Sequence, residues 1–262
     1  MATPQLKHQQ IATELGQQLE QFLQQPLMPT AEQLTQAEVE AQKLIFPDYT
    51  RYYAYQCLGL IEALRGNERK TIQYFKKAKE ANSSDTSVSA TYAQSLRYLG
   101  KIKESIKQLD FYVSNKTCDI FSLNMALKLC IIFGQTTKAE LFMQQLKQLD
   151  PKAFLSYHQT DIEFTQLWQK TGIPENAILD YLEHAYQFAA ERNINLRHPE
   201  IVLDVEDGNS LMYIFRDNDL TTDQRIQYEQ ELDKHMLSYI KSHKDYPFEN
   251  IVFFLGRYRD SK

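Results

Sequence analysis

Tyr55-Gln56-Cys57-Leu58-Gly59-Leu60-Ile61-Glu62-Ala63-Leu64-Arg65-Gly66-Asn67 is an apolar run at helical spacing that ends on a glycine, and the chain returns to that ending twice. Leu99-Gly100-Lys101 and Phe133-Gly134-Gln135 follow, so that Gly66, Gly100 and Gly134 lie 34 residues apart. A fixed period of this length marks a repeat architecture. Each glycine follows one helical pattern and precedes another. That is where a tight turn between two helices wants a residue free to take positive φ. Tyr55, Leu58 and Ile61 precede the first glycine, and Ile72, Phe75, Ala78 and Lys79 follow it. Tyr92, Leu96 and Leu99 answer to Ile102, Ile106, Leu109 and Val113 in the next unit. Leu123, Leu127, Cys130 and Ile131 answer to Ala139, Phe142, Leu146 and Leu149 in the third. Two helices of about fourteen residues with short turns fill each unit.

Within the units, Tyr55-x-x-Leu58-Gly59 is followed by Thr71-x-x-x-Phe75, then Ser105-x-x-x-Leu109, then Ala139-x-x-x-Met143 closing on Leu149-Asp150-Pro151. On these residues the region 52–151 resembles the tetratricopeptide repeat family. Ala177-x-x-x-Tyr181 falls at the same offset from Gly172 as Ala139 does from Gly134, which marks a divergent fourth unit. A small residue on the second helix lets the two helices approach, larger apolar residues fill the groove between neighbours, and stacking is obligatory because no unit buries its apolar face alone. Other helical-hairpin repeats and irregular α-superhelices are the structural alternatives.

Upstream, Leu6, Ile11, Leu15, Leu19 and Phe22 or Leu23 form one stripe among many glutamines, broken by Pro26 and Pro29. An amphipathic helix fits this segment better than a Gln-rich aggregation tract. Thr30 with Gln33 has the form of a capping box for a helix through Leu34, Val39 and Leu44 to Pro47. Downstream the period changes. Ile201, Leu203 and Val205 alternate with polar residues, Asp207-Gly208-Asn209 is a turn signal, and Leu211 to Phe215 is a second strand. Thr221 with Gln224 caps a long helix carrying Tyr228, Leu232, Met236 and Tyr239, and Ile251 to Leu255 is a third strand. The expected fold is therefore mostly α: a superhelix of helical hairpins over residues 1–195 and a small ββαβ module over 196–262.

Of the 262 residues 43% are hydrophobic and 24% charged, a globular rather than a disordered balance. The net charge of −5 and the absence of a dense basic run argue against a nucleic-acid partner. No apolar run reaches bilayer length, and Met1 to Gln10 lack the apolar core of a signal peptide, so a cytoplasmic protein is expected. Cys57, Cys118 and Cys130 form no CxxC pair and read as buried free thiols with no partner base. His198, Asp204, Glu206 and Asp207 could be drawn as a metal site, but Asp204 and Glu206 on a solvated strand face are the simpler account. His235 and His243 read as a surface or interface pair, and Arg257, Tyr258 and Arg259 as a charged tail. No catalytic residues, no metal site and no cofactor are expected.

The resemblance implies a concave surface lined by the first helix of each unit, which receives a peptide or helix of another protein. Residues one turn apart on that face are Tyr53, Gln56 and Leu60, then Ala90, Gln94 and Arg97, then Asn124, Lys128 and Ile131. Tyr53, Gln56, Leu60, Gln94, Arg97, Asn124 and Lys128 are the candidate partner-binding residues. Tyr53, Cys57, Phe121 and Met125 stand where some members of the family clamp a terminal carboxylate, which argues against that mode. The expected function is a protein-binding scaffold, adaptor or chaperone-like protein. A binding module of immunity or antitoxin type acting through the ββαβ segment, and a metal-dependent enzyme using its acidic residues, are the alternatives.

Overall fold

The computed structural model describes residues 4–24, 28–83, 86–114, 119–152, 154, 158–196, 199–203, 211–217 and 219–256. The helices are α1 (Pro4–Gln24), α2 (Ala31–Lys43), α3 (Asp48–Leu64), α4 (Glu68–Ala81), α5 (Thr86–Tyr98), α6 (Ile102–Ser114), α7 (Ile120–Ile132) and α8 (Thr136–Leu149). α9 (Gln159–Lys170), α10 (Glu175–Glu191), β1 (Pro199–Leu203), β2 (Leu211–Arg216), α11 (Thr222–Ser242) and β3 (Ile251–Gly256) complete the order. Thr30 and Thr221 both start their helices with capping boxes. Reciprocal hydrogen bonds to Gln33 and Gln224 satisfy backbone donors that a helix start leaves open.

The three period-setting glycines have one geometry. Gly66, Gly100 and Gly134 take φ of 73°, 72° and 62°. The next N–H then donates five residues back: Asn67 to Glu62 O at 2.8 Å, Lys101 to Leu96 O at 2.9 Å, and Gln135 to Cys130 O at 2.8 Å. This closure satisfies carbonyls left open at the helix end and turns the chain into the next helix. α3 packs on α4, α5 on α6 and α7 on α8, while α3 also packs on α5 and α5 on α7. α1 and α2 form a preceding pair, and both contact α3. The small positions Thr71, Ser105 and Ala139 are all fully buried. The polar ones are satisfied locally, Thr71 donating to Asn67 O at 2.9 Å and Ser105 to Ala93 O at 2.7 Å. Ile72 and Val39, placed on buried stripes by the sequence, are exposed, and Thr71, Ala37 and Ala41 are buried instead. Small residues sit where helices approach most closely, so the stripes are set by proximity and not by size alone.

The fourth unit departs from expectation. Gly172 does take φ 67° between α9 and α10. Here, though, the Ile173 N–H donates to Thr171 Oγ1 at 3.2 Å, and α10 packs on α6 while α9 packs on α7 and α8. α10 lies across the hairpin turns. A Cβ at Gly134 would fall 2.7 Å from Ile178 Cγ2, and one at Gly100 would fall 3.2 Å from the Tyr186 carbonyl oxygen and from Ala190 Cβ. Carboxylates of α10 serve the open helix starts beneath. Glu175 accepts from the Thr137 N–H at 2.6 Å and the Thr136 hydroxyl at 2.7 Å, at the start of α8. Glu183 accepts from the Lys103 N–H at 3.2 Å, at the start of α6. Eight residues of helix span roughly 12 Å, so one helix reaches two successive hairpins. Replacing Glu175 by Ala is expected to cost about 1–2 kcal/mol in urea unfolding, because two donors lose a charged acceptor at a helix N-terminus.

The three strands form a sheet of order β1-β2-β3, with β1 antiparallel and β3 parallel to β2. α11 makes the crossover that a parallel pair requires. The Leu255 N–H donates to Glu229 Oε1 of α11 at 2.9 Å on β3. Leu211, Tyr213 and Phe215 of β2 and Ile251, Phe253 and Leu255 of β3 are buried. They share one core with α7 to α10 that runs across residues 195 and 196. Trp168 meets Tyr213 at 6.2 Å, Tyr186 meets Phe215 edge-on at 5.1 Å, and Tyr181 donates to Ile251 O at 3.2 Å. Buried Asp217 pins the junction, its carboxylate accepting the Asn195 and Asp219 N–H groups at 2.9 and 2.8 Å. The ββαβ order is as read from the sequence, although the expected turn at Asp207-Gly208-Asn209 lies outside the described residues.

Candidate functional site

The first helices of the stacked hairpins converge on one cavity of about 300 Å³. α1 contributes Gly16 and Leu19, and α3 contributes Tyr53, Gln56, Cys57 and Leu60. α5 adds Thr91 and Gln94, and α7 adds Phe121 and Met125. Among the described residues, no ionised side chain lines it. Leu19, Leu60, Phe121 and Met125 make the apolar wall. Phe121 is 68% exposed, an unusual state for a large aromatic beside a cavity.

The polar lining is already positioned. The Tyr53 hydroxyl donates to Ala12 O at 3.2 Å, so it ties α1 to α3. Burial and the neighbouring Cys57 raise its pKa, and the phenol stays neutral. Gln56 Nε2 donates to Thr91 Oγ1 at 2.6 Å and to Ser87 O at 3.3 Å, bridging α3 to α5. Gln94 Nε2 donates to the Tyr98 hydroxyl at 2.8 Å. Burial pushes the Cys57 thiol up to about 12, so it lines the wall as a small apolar group and not as a nucleophile. Burial likewise raises the Cys130 thiol.

Four of the seven candidate residues, Tyr53, Gln56, Leu60 and Gln94, are brought together here. Asn124 and Lys128 do not line the cavity. Lys128 is exposed one turn beyond Met125, and Asn124 is half-buried on the same helix. Arg97, expected on the groove face, is only 4% exposed and does not line the cavity, its guanidinium 5.0 Å from the Tyr98 ring. Ala90 and Ile131 are buried as well. The one-turn spacing placed Arg97 on the groove face three residues after Gln94, but this far along α5 the position is buried beside Tyr98. Phe121 and Met125, noted in the sequence only as incompatible with a carboxylate clamp, are lining residues, together with Tyr53 and Cys57.

Cys118, His198, Asp204, Glu206, Asp207 and the segment Arg257, Tyr258 and Arg259 lie outside the described residues. Among the described residues, no group of three or more His, Cys, Asp and Glu is placed to hold a metal ion. Among them also, no helix is long and apolar enough to cross a membrane. No family model, curated protein or solved structure matches the chain.

Proposed function

We propose that this chain is a non-enzymatic protein-binding scaffold whose hairpins stack as a tetratricopeptide-like superhelix and hold an apolar helical or extended segment of a partner. The observation that carries this reading is the shared cavity: helices from four successive pairs supply its wall, and its most exposed member is an aromatic ring. An uncharged wall excludes an ionised anchor, which would lose its hydration without gaining a counter-charge. Leu19, Leu60, Phe121 and Met125 instead suit one large apolar side chain. The Gln94 amide, which donates to the Tyr98 hydroxyl, keeps acceptor capacity for a partner. Phe121→Asp and Met125→Lys should each weaken capture of the native partner by about 2 kcal/mol or more, roughly thirty-fold in Kd, with helical content unchanged. Capture from the native lysate at wild-type strength in both variants would sink the groove.

A second reading has an observation of its own. The outward face of the sheet carries Met212, Ile214 and Val252 half-buried and Phe254 41% exposed. On this reading the ββαβ module receives the partner, as in an immunity-type pair. Phe254→Glu then abolishes capture while Phe121→Asp spares it.

A further inference from the structure

Two imidazoles join the repeat region to the C-terminal module. His184 of α10 and His235 of α11 stack face to face, with ring centroids 4.0 Å apart and planes 10° off parallel. One turn on, Tyr239 of α11 and His243, which caps its C-terminus, stack in the same way at 4.0 Å and 11°, and His184 lies 5.1 Å from the Tyr239 ring. Phe188 of α10 closes the other side, 5.3 Å from His235. Rings thus line the contact between α10 and α11, and three of them, His184, His235 and His243, can charge.

The charges around the pair decide what protonation does. On α10, Asp180 and Glu183 are engaged by Lys103 of α6, at 2.5 and 3.1 Å. Arg192, at the C-cap of α10, sits 3.6 Å from the Phe188 ring and is paired with Glu231 of α11 at 2.8 Å. Those acids are neutralised where they stand. Exposed Glu191, 3.8 Å from Arg192, is the acid that acts on His184, opposed by His235 and His243. A first proton on either ring can be borne by the stack, since a cation over a neutral aromatic ring is attracted. A second proton places like charges face to face without a counter-ion between them.

We propose that the His184–His235 stack is an acid-sensitive latch, which holds α11 on α10 while at least one ring is neutral and releases it when both are protonated. Burial, and then the charges of His235 and His243, hold His184 below the ordinary histidine range. The neutral form is therefore favoured by folding. Its contribution is complete above the unfolded value of about 6.5 and is lost as pH falls through that value toward the lower folded one. Carboxylates titrate near 4, so the window between pH 7.5 and 5.5 isolates the histidines. Release uncovers Tyr181 and the buried α11 residues Leu232 and Met236, which would free the module to move against the array.

Hydrogen exchange of the full chain tests this. After correction for intrinsic rates, protection across residues 222–242 should fall about fivefold between pH 7.5 and 5.5, since a coupling of about one pKa unit is worth tenfold only well below both titrations. His184→Phe and His235→Phe keep an aromatic stack without a proton site and should each reduce that fall to less than about twofold, while His8→Gln leaves it intact. In the wild type, NMR should show the two imidazoles titrating in two steps more than about one pH unit apart. The proposal is overturned by an undiminished acid effect in the phenylalanine variants. If a variant does not fold, the wild-type titration decides, and two rings that titrate together near 6.5 overturn the latch.

Discussion

Gly134→Ala is expected to destabilise the protein by about 3–4 kcal/mol, whereas the same substitution at Gly66 costs about 1 kcal/mol. Both residues take positive φ, 62° and 73°, where an L side chain is disfavoured by roughly 1–2 kcal/mol. Local geometry alone would therefore make the two variants equal. Their surroundings differ. A Cβ at Gly66 meets nothing within 4 Å. A Cβ at Gly134 would stand 2.7 Å from Ile178 Cγ2 and 3.2 Å from Trp168 Cδ2. Ile178 is 1% exposed and belongs to α10, and Trp168 is fixed by its Nε1–H donating to Ile131 O at 2.8 Å. Neither side chain has room to yield, so overpacking adds about 1–3 kcal/mol to the backbone strain. Gly100, with 3.2 Å contacts to α10, falls between the two. Urea midpoints at constant m measure all three. Equal losses at Gly66 and Gly134 would mean that α10 does not lie across the turns, and the account of how the last helices pack would have to be abandoned.

That ordering also shows what the sequence could and could not reveal. The turn glycines and the two capping boxes are local facts: each depends on residues within about six positions, each appears as read, and the period of 34 is the recurrence of one such turn. The strand-helix-strand segment was legible because its alternation changes period at Pro199. The path of α10 was not. Ala177 and Tyr181 repeat the offset of a fourth hairpin, yet the decision to lie across the turns rests on contacts 70 to 90 residues back, such as Glu183 with Lys103 and Ala190 with Gly100. One local signal existed. Asn193 takes φ 57°, and the Ile194 N–H donates to Ala189 O at 2.9 Å, so α10 ends in the same closure as the glycine turns, with Asn in the role of Gly. For the groove, spacing on α3 located Tyr53, Gln56 and Leu60 because that helix is flanked on both sides by other first helices. On α5 it located Gln94 but not the state of Arg97, which is buried at the end of that helix.

Arg97→Glu is expected to lower stability by about 4 kcal/mol or more and the melting temperature by roughly 8–16 °C, with Lys128→Glu changing stability by no more than about 0.5 kcal/mol. The two positions look alike in the sequence, each a cation at the far end of a first helix. Arg97 is 4% exposed and Lys128 is exposed. The guanidinium stands by the Tyr98 ring, and its charge reaches the buried Tyr186 of α10 strongly enough to oppose in part the rise that burial imposes on that phenol. Reversing the charge removes a cation from a setting built around it and leaves a carboxylate facing the quadrupole of an aromatic face. It also shortens the side chain in a packed interior, so that water cannot enter to solvate the new charge without opening the packing around the end of α5. At Lys128 the reversal happens in water, where the Coulomb energy of an isolated pair is near 1 kcal/mol at contact and is further screened by salt. Thermal unfolding separates the two substitutions directly. A folded Arg97→Glu protein with wild-type melting and weakened partner capture would return Arg97 to the groove and would show that the face of α5 is open along its whole length. Loss of melting temperature with Lys128→Glu unaffected instead confines the groove to the uncharged wall between Leu19 and Met125, where a partner is selected by apolar fit and not by a basic rim.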